Sequence, residues 1–81
     1  MAKQIVDGSE AGKYRQGFKD GANRFCEAHP NQDWRIVATE TQDGLRITIS
    51  DRYYNNQFTV SPTFNLADSV FNALEQHQAP K

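Results

Sequence analysis

The amino-acid sequence predicts an α+β fold of the order αβββα, a three-stranded antiparallel sheet with two helices on one face. Three patterns predict it. Apolar residues recur at helical spacing in the first third, at strand spacing in three short central runs, and at helical spacing again near the C-terminus. At 81 residues the chain has material for one hydrophobic core. A domain this short buries only about 60% of the surface its unfolded chain exposes.

Residues 1–8 read as a flexible N-terminal arm, with Asp7-Gly8 as a turn, and residues 9–78 as the single domain. Ser9 suits the cap of the first helix, because its hydroxyl can accept a free backbone N–H of the first turn. Tyr14, Phe18, Ala22, Phe25, Cys26 and His29 then share one helical face, and Pro30 ends the helix. Gly12, Gly17 and Gly21 fall inside this stretch, each costing about 1 kcal/mol relative to alanine. Gly17 and Gly21 lie one turn apart. They read either as a groove for another helix or as tolerated glycines in a late-starting one.

Trp34, Ile36 and Ala38 alternate with Arg35, Val37 and Thr39, and Asp43-Gly44 marks a hairpin turn. Leu45, Ile47 and Ile49 alternate with Arg46, Thr48 and Ser50; a third run sets Phe58 and Val60 against Gln57, Thr59 and Ser61. One sheet face is therefore apolar and the other polar, as in an antiparallel sheet with one side in water. A loop from Asp51 to Asn56 keeps the Asp51 carboxylate off the apolar face, where burial without a partner is costly. That loop leaves Tyr53 and Tyr54 exposed; the plainer alternative has both tyrosines capping the core edge. Asn65 caps the second helix and Asp68 favours its dipole. Leu66, Val70, Ala73, Leu74 and His77 form its inward stripe, flanked by Phe71.

Composition narrows the function. Nine Lys and Arg stand against ten Asp and Glu, a formal net charge of −1, whereas nucleic-acid binders usually carry a basic excess to neutralise phosphates. Cys26 is the sole cysteine, so no internal disulfide can form, which points to a reducing, cytoplasmic setting. No apolar run approaches the roughly 20 residues of a membrane span, so no membrane partner is expected. Cys26 and His29 lie one turn apart, yet no oxyanion hole or Gly-rich substrate loop accompanies them, and a structural role is the expectation. With His77 they would make three metal ligands without paired spacing. The expectation is a chain with no enzymatic activity, cofactor or metal.

Over about residues 18–77 the element order resembles the double-stranded RNA-binding domain. Phe25-Cys26-Glu27-Ala28-His29-Pro30 is similar to the end of that family's first helix, and Ala67 through Leu74 to its Ala-rich last helix. The resemblance implies the αβββα fold. It also implies RNA contacts from the first helix, where Lys13, Arg15, Lys19 and Arg24 would supply the cations. The family's other RNA-contacting motifs are replaced. Gln42-Asp43-Gly44 stands where a Gly-Pro-x-His loop is usual, and Asn65-Leu66-Ala67-Asp68-Ser69 where lysines cluster.

Surface recognition of a protein is the favoured expectation. Arg52-Tyr53-Tyr54-Asn55-Asn56 gathers residue types enriched at interface hot spots, and Arg35 and Arg46 fall on the polar sheet face among Val37, Thr39, Thr48 and Thr59. Small size, near-neutral charge and the lack of catalytic motifs resemble phage-encoded inhibitors such as anti-CRISPR proteins. That resemblance implies a host or defence-system protein as partner and steric occlusion as mechanism. RNA binding through the first helix is the alternative. A homodimer through Gly17 and Gly21, or through an open strand edge, is a third reading.

Overall fold

The structure, a computed structural model, describes residues 3–51, 53–62 and 64–77. Its elements run β1 (Gln4–Glu10), a single 3₁₀ turn (Gly12–Tyr14), α1 (Arg15–Ala28), β2 (Trp34–Thr41), β3 (Gly44–Ser50), β4 (Asn55–Val60) and α2 (Leu66–His77). The fold is α+β, with the predicted αβββα order in place. The sheet, however, has four strands in the order β1-β2-β3-β4, not three antiparallel ones. β1 pairs parallel with β2, and β2, β3 and β4 form an antiparallel meander.

The fourth strand comes from the segment read as a flexible arm. Gln4 pairs with Trp34 and Val6 with Ile36, so the core-facing side of β2 continues into β1, with Val6 its apolar member. The Gln4 side-chain amide donates to the carbonyls of His29 and Gln32, which ties the start of β1 to the end of α1. The Lys3 N–H donates to Asp33 and the Trp34 N–H to the Lys3 carbonyl. Ser9 lies in β1, where its N–H and hydroxyl both donate to Asp7, and caps no helix. With Gly12 at a φ of +60°, a conformation outside the right-handed helix, α1 begins only at Arg15.

α1 buries Phe18, Gly21, Ala22, Phe25 and Cys26, and α2 buries Val70 and Leu74. Both helices lie on the same side of the sheet. Phe25 meets the Trp34 ring at 5.5 Å, and His77 stacks on Phe58 at 4.4 Å. Trp34, Ile36, Ala38, Leu45, Ile47, Ile49 and Val60 complete the single core from the sheet side, as the strand alternation predicts. Burial of such side chains stabilises by about 1.5–3 kcal/mol each. The β2–β3 turn is tight. Gly44 has a φ of +138°, and a Cβ there would come 2.6 Å from the Val60 carbonyl oxygen.

The two glycines of α1 have a clear role. A Cβ at Gly17 would press on the Leu66 side chain and one at Gly21 on the Ala67 carbonyl oxygen. The groove they form receives a helix of the same chain. Arg24 closes the helix pair by an ion pair to Asp68 and by lying over the Phe71 ring, while His29 meets Glu75 at 2.7 Å.

Candidate functional site

The sheet face opposite the helices carries the residues of interest. Strand register places its side chains in three rows. Ile5, Arg35, Ser50 and Asn55 form the first, and Asp7, Val37, Thr48 and Gln57 the second. The third holds Glu10, Thr39, Arg46 and Thr59. Arg35 and Arg46 are exposed on adjacent strands with the Val37–Thr48 row between them. From Arg35 to Thr39, the partner of Arg46, is four residues, or about 13 Å at strand rise. Val37 and Thr48 are half-buried and Ile5 is exposed, so the arginines flank a shallow strip of mixed character.

Charge is graded across this face. β1 brings Asp7 and Glu10, β2 and β3 bring Arg35 and Arg46, and β4 brings none. The Asp7 carboxyl is held below the usual carboxylate range. It accepts hydrogen bonds from the Ser9 N–H and hydroxyl, and the Arg35 guanidinium adds attraction. Arg35 therefore works beside a fixed anion, whereas Arg46 stands opposite Thr39 and Thr59.

At one end of the face the β3–β4 connection spans residues 51–54, shorter than the loop expected from the sequence, and it separates the two tyrosines. Tyr53 is 89% exposed. Tyr54 turns inward and is half-buried, its hydroxyl donating to the His77 carbonyl at 2.9 Å. Asn56 donates to the same carbonyl, so two side chains from this hairpin hold the end of α2. Tyr54 thus caps the core edge and Tyr53 does not. Arg52 lies outside the described residues. Beside Tyr53 an open cleft of about 330 Å³ is lined by Asn31, Gln32, Asp33, Asp51 and Tyr53. Sequence reasoning did not find the cleft, because it joins the α1–β2 turn to the β3–β4 turn across a distance of some twenty residues in the chain.

The cations of α1 divide. Arg15 and Lys19 lie over Gly8 of β1, and Lys13 sits beside Tyr14 just before the helix. Arg24 is on the far part of the helix, engaged by Asp68 and Phe71. Cys26 is buried, and burial raises its thiol above the ordinary value, with Glu27 adding to the effect. His29 and His77 are taken by Glu75 and Phe58. Among the described residues no three His, Cys, Asp or Glu side chains gather as a metal ion requires, and no helix is long and apolar enough to cross a membrane. No protein-family model, no curated protein and no solved structure matches this chain.

Proposed function

We propose that this chain is a non-catalytic binding module that recognises another protein through its open sheet face and acts by steric occlusion. One observation carries the reading: among the described residues no element covers the sheet face opposite the helices, with Arg35 and Arg46 exposed on adjacent strands and Tyr53 exposed in the turn at its end. Arginine and tyrosine supply large contact area and directed hydrogen bonds, and they dominate interface energetics. A rigid sheet fixes the backbone of the arginines, so binding through them orders side chains and not strands. The partner that fits offers carboxylates at the arginine spacing and an apolar ridge between them for the Val37–Thr48 row. A small host or defence-system enzyme blocked by such a plug would make the chain an inhibitor of the kind carried by phages and mobile elements, in the cytoplasm. The test is capture from host lysate with the wild-type chain and with a combined Arg35→Ala, Arg46→Ala, Tyr53→Ala variant. A partner retained equally by both would overturn the assignment of this face.

A second reading rests on Lys13, Arg15 and Lys19, which gather at the start of α1 beside β1. They would serve an RNA backbone, with Arg24 held back by Asp68. Binding of duplex RNA that falls steeply with added salt, and survives the triple substitution, would favour it.

A further inference from the structure

The two edges of the sheet are built differently. β1 carries Asp7 and Glu10, and its pairing with β2 shifts register between them, all features that discourage a further strand from adding. β4, Asn55–Val60, has none of these. It contains no charge and no proline, and its pairing with β3 is regular from end to end. The Asp51 N–H donates to the Tyr54 carbonyl. In that ladder residues 56, 58 and 60 bond to β3, and the N–H and C=O groups of Asn55, Gln57 and Thr59 point away from the sheet.

The absence of charge extends beyond the strand. The sequence has no Asp, Glu, Lys or Arg from Tyr53 to Ala67. α2 then turns its two acids inward toward α1, Asp68 on Arg24 and Glu75 on His29. By helical spacing the flank away from these acids holds Ser69, Asn72, Ala73 and Gln76, none of them charged. Phe64, fully exposed, lies between this strand and this helix. Among the described residues, β4, the segment that follows it and this flank of α2 therefore carry no charged side chain. Depletion of charge is the compositional mark of an interface core.

We infer that the β4 edge pairs antiparallel with the β4 edge of a second copy of this chain, joining two four-stranded sheets into one. The strand is self-complementary. A two-fold axis at Gln57 sets Asn55 of each copy opposite Thr59 of the other, so all three outward-facing residues bond across the joint. Gln57 faces its own counterpart, and amide side chains can hydrogen-bond to each other there. No like charges meet, which is the usual obstacle when a strand pairs with itself. The Asn56 side chain now accepts the Gln57 N–H at 2.9 Å, and a carbonyl of the second copy takes its place. The joint also doubles the open face, with Arg35 and Arg46 repeated on either side of the axis.

Sedimentation equilibrium over a wide concentration range tests the proposal. The wild-type chain is expected at twice its 9.2 kDa mass as concentration rises. Gln57→Lys sets two ammonium groups opposite each other and is expected to weaken association about tenfold or more. Thr59→Pro removes an N–H that faces away from β3, so the fold tolerates it while the joint does not. Arg35→Ala with Arg46→Ala leaves the dimer intact, which separates this proposal from the partner-binding reading. Hydrogen exchange on the wild type gives a measurement independent of any variant: the Asn55 and Thr59 amides gain protection with concentration. A chain that stays monomeric throughout, leaving the edge to a strand of another protein, overturns the proposal. So does a dimer whose Asn55 and Thr59 amides stay unprotected.

Discussion

Gly21 lies directly against Ala67, so close that a Cβ on the glycine would stand 2.5 Å from the Ala67 carbonyl oxygen. A backbone atom cannot give way as a side chain can. Gly21→Ala must therefore push α2 away from α1 and disturb Val70, which also faces the site. Overpacking costs about 1–3 kcal/mol, of which the better helix propensity of alanine returns about 1 kcal/mol, so a net loss of up to about 2 kcal/mol is expected. At Gly17 the obstruction is the Leu66 side chain, whose Cδ2 can rotate away while its Cβ, 3.0 Å off, must give by a few tenths of an ångström. Gly17→Ala is expected to cost less than Gly21→Ala. Urea denaturation of the two variants side by side measures the order, and equal losses would refute the geometry.

Arg24 holds the same helix pair by two different means. Its ion pair with Asp68 is about half exposed on both sides, and exposed pairs contribute about 0.2–1 kcal/mol. Its guanidinium also lies over the Phe71 ring, 5.1 Å from the centroid, a cation–π contact that Asp68 does not share. Arg24→Ala is therefore expected to destabilise more than Asp68→Ala. A double-mutant cycle should return a coupling below about 1 kcal/mol that shrinks with added salt.

Acid stability should register Asp7. Its folded carboxyl is depressed by the Ser9 donors and by Arg35, so the sign follows that of an ordinary paired carboxylate. Stability from this group is present above the unfolded value, near pH 4, and is lost as pH falls through the lower folded value. Asp7→Asn is expected to flatten the fall in melting temperature below about pH 4, and Ser9→Ala to flatten it less, because the backbone donor remains. Melting curves between neutral pH and acid measure both. An unchanged acid limb in Asp7→Asn would remove Asp7 from the account.

What the sequence disclosed follows from where its signals are local. The alternation of Trp34, Ile36 and Ala38 and of Leu45, Ile47 and Ile49 puts each on the core face as observed, since each strand must bury one side. The stripes Phe18–Phe25 and Val70–Leu74 are legible for the same reason. β1 was not, and its physics explains why. Only Ile5 and Val6 are apolar in it, Asp7-Gly8 is turn chemistry, and its partner Trp34 is 30 residues away from Gln4. Gly8 leaves room for the ring of Phe18, which a Cβ there would approach to a tight 3.2 Å. Phe18 thus supplies the side chain that the strand itself lacks. Arg35 and Arg46 were placed on the open face by the same alternation, whereas the division between Tyr53 and Tyr54 depends on α2 ending beside the hairpin.

That division makes the last prediction. Tyr54 donates to the His77 carbonyl, one of the unpaired carbonyls at the end of α2. Tyr54→Phe keeps the ring and removes only this bond, at a cost of about 1 kcal/mol. Tyr53 contacts solvent over most of its surface, so Tyr53→Ala should change stability by less than about 0.5 kcal/mol. Partner binding should show the reverse order. Tyr53→Ala is expected to weaken a captured partner by tenfold or more, as an exposed hot-spot aromatic does on truncation. Tyr54→Phe should leave that affinity within about threefold, a change of under 1 kcal/mol. Denaturation and titration calorimetry on the same two variants give four numbers. If Tyr53→Ala proved the destabilising change, or Tyr54→Phe the one that lost the partner, the hairpin would be assigned the wrong way round.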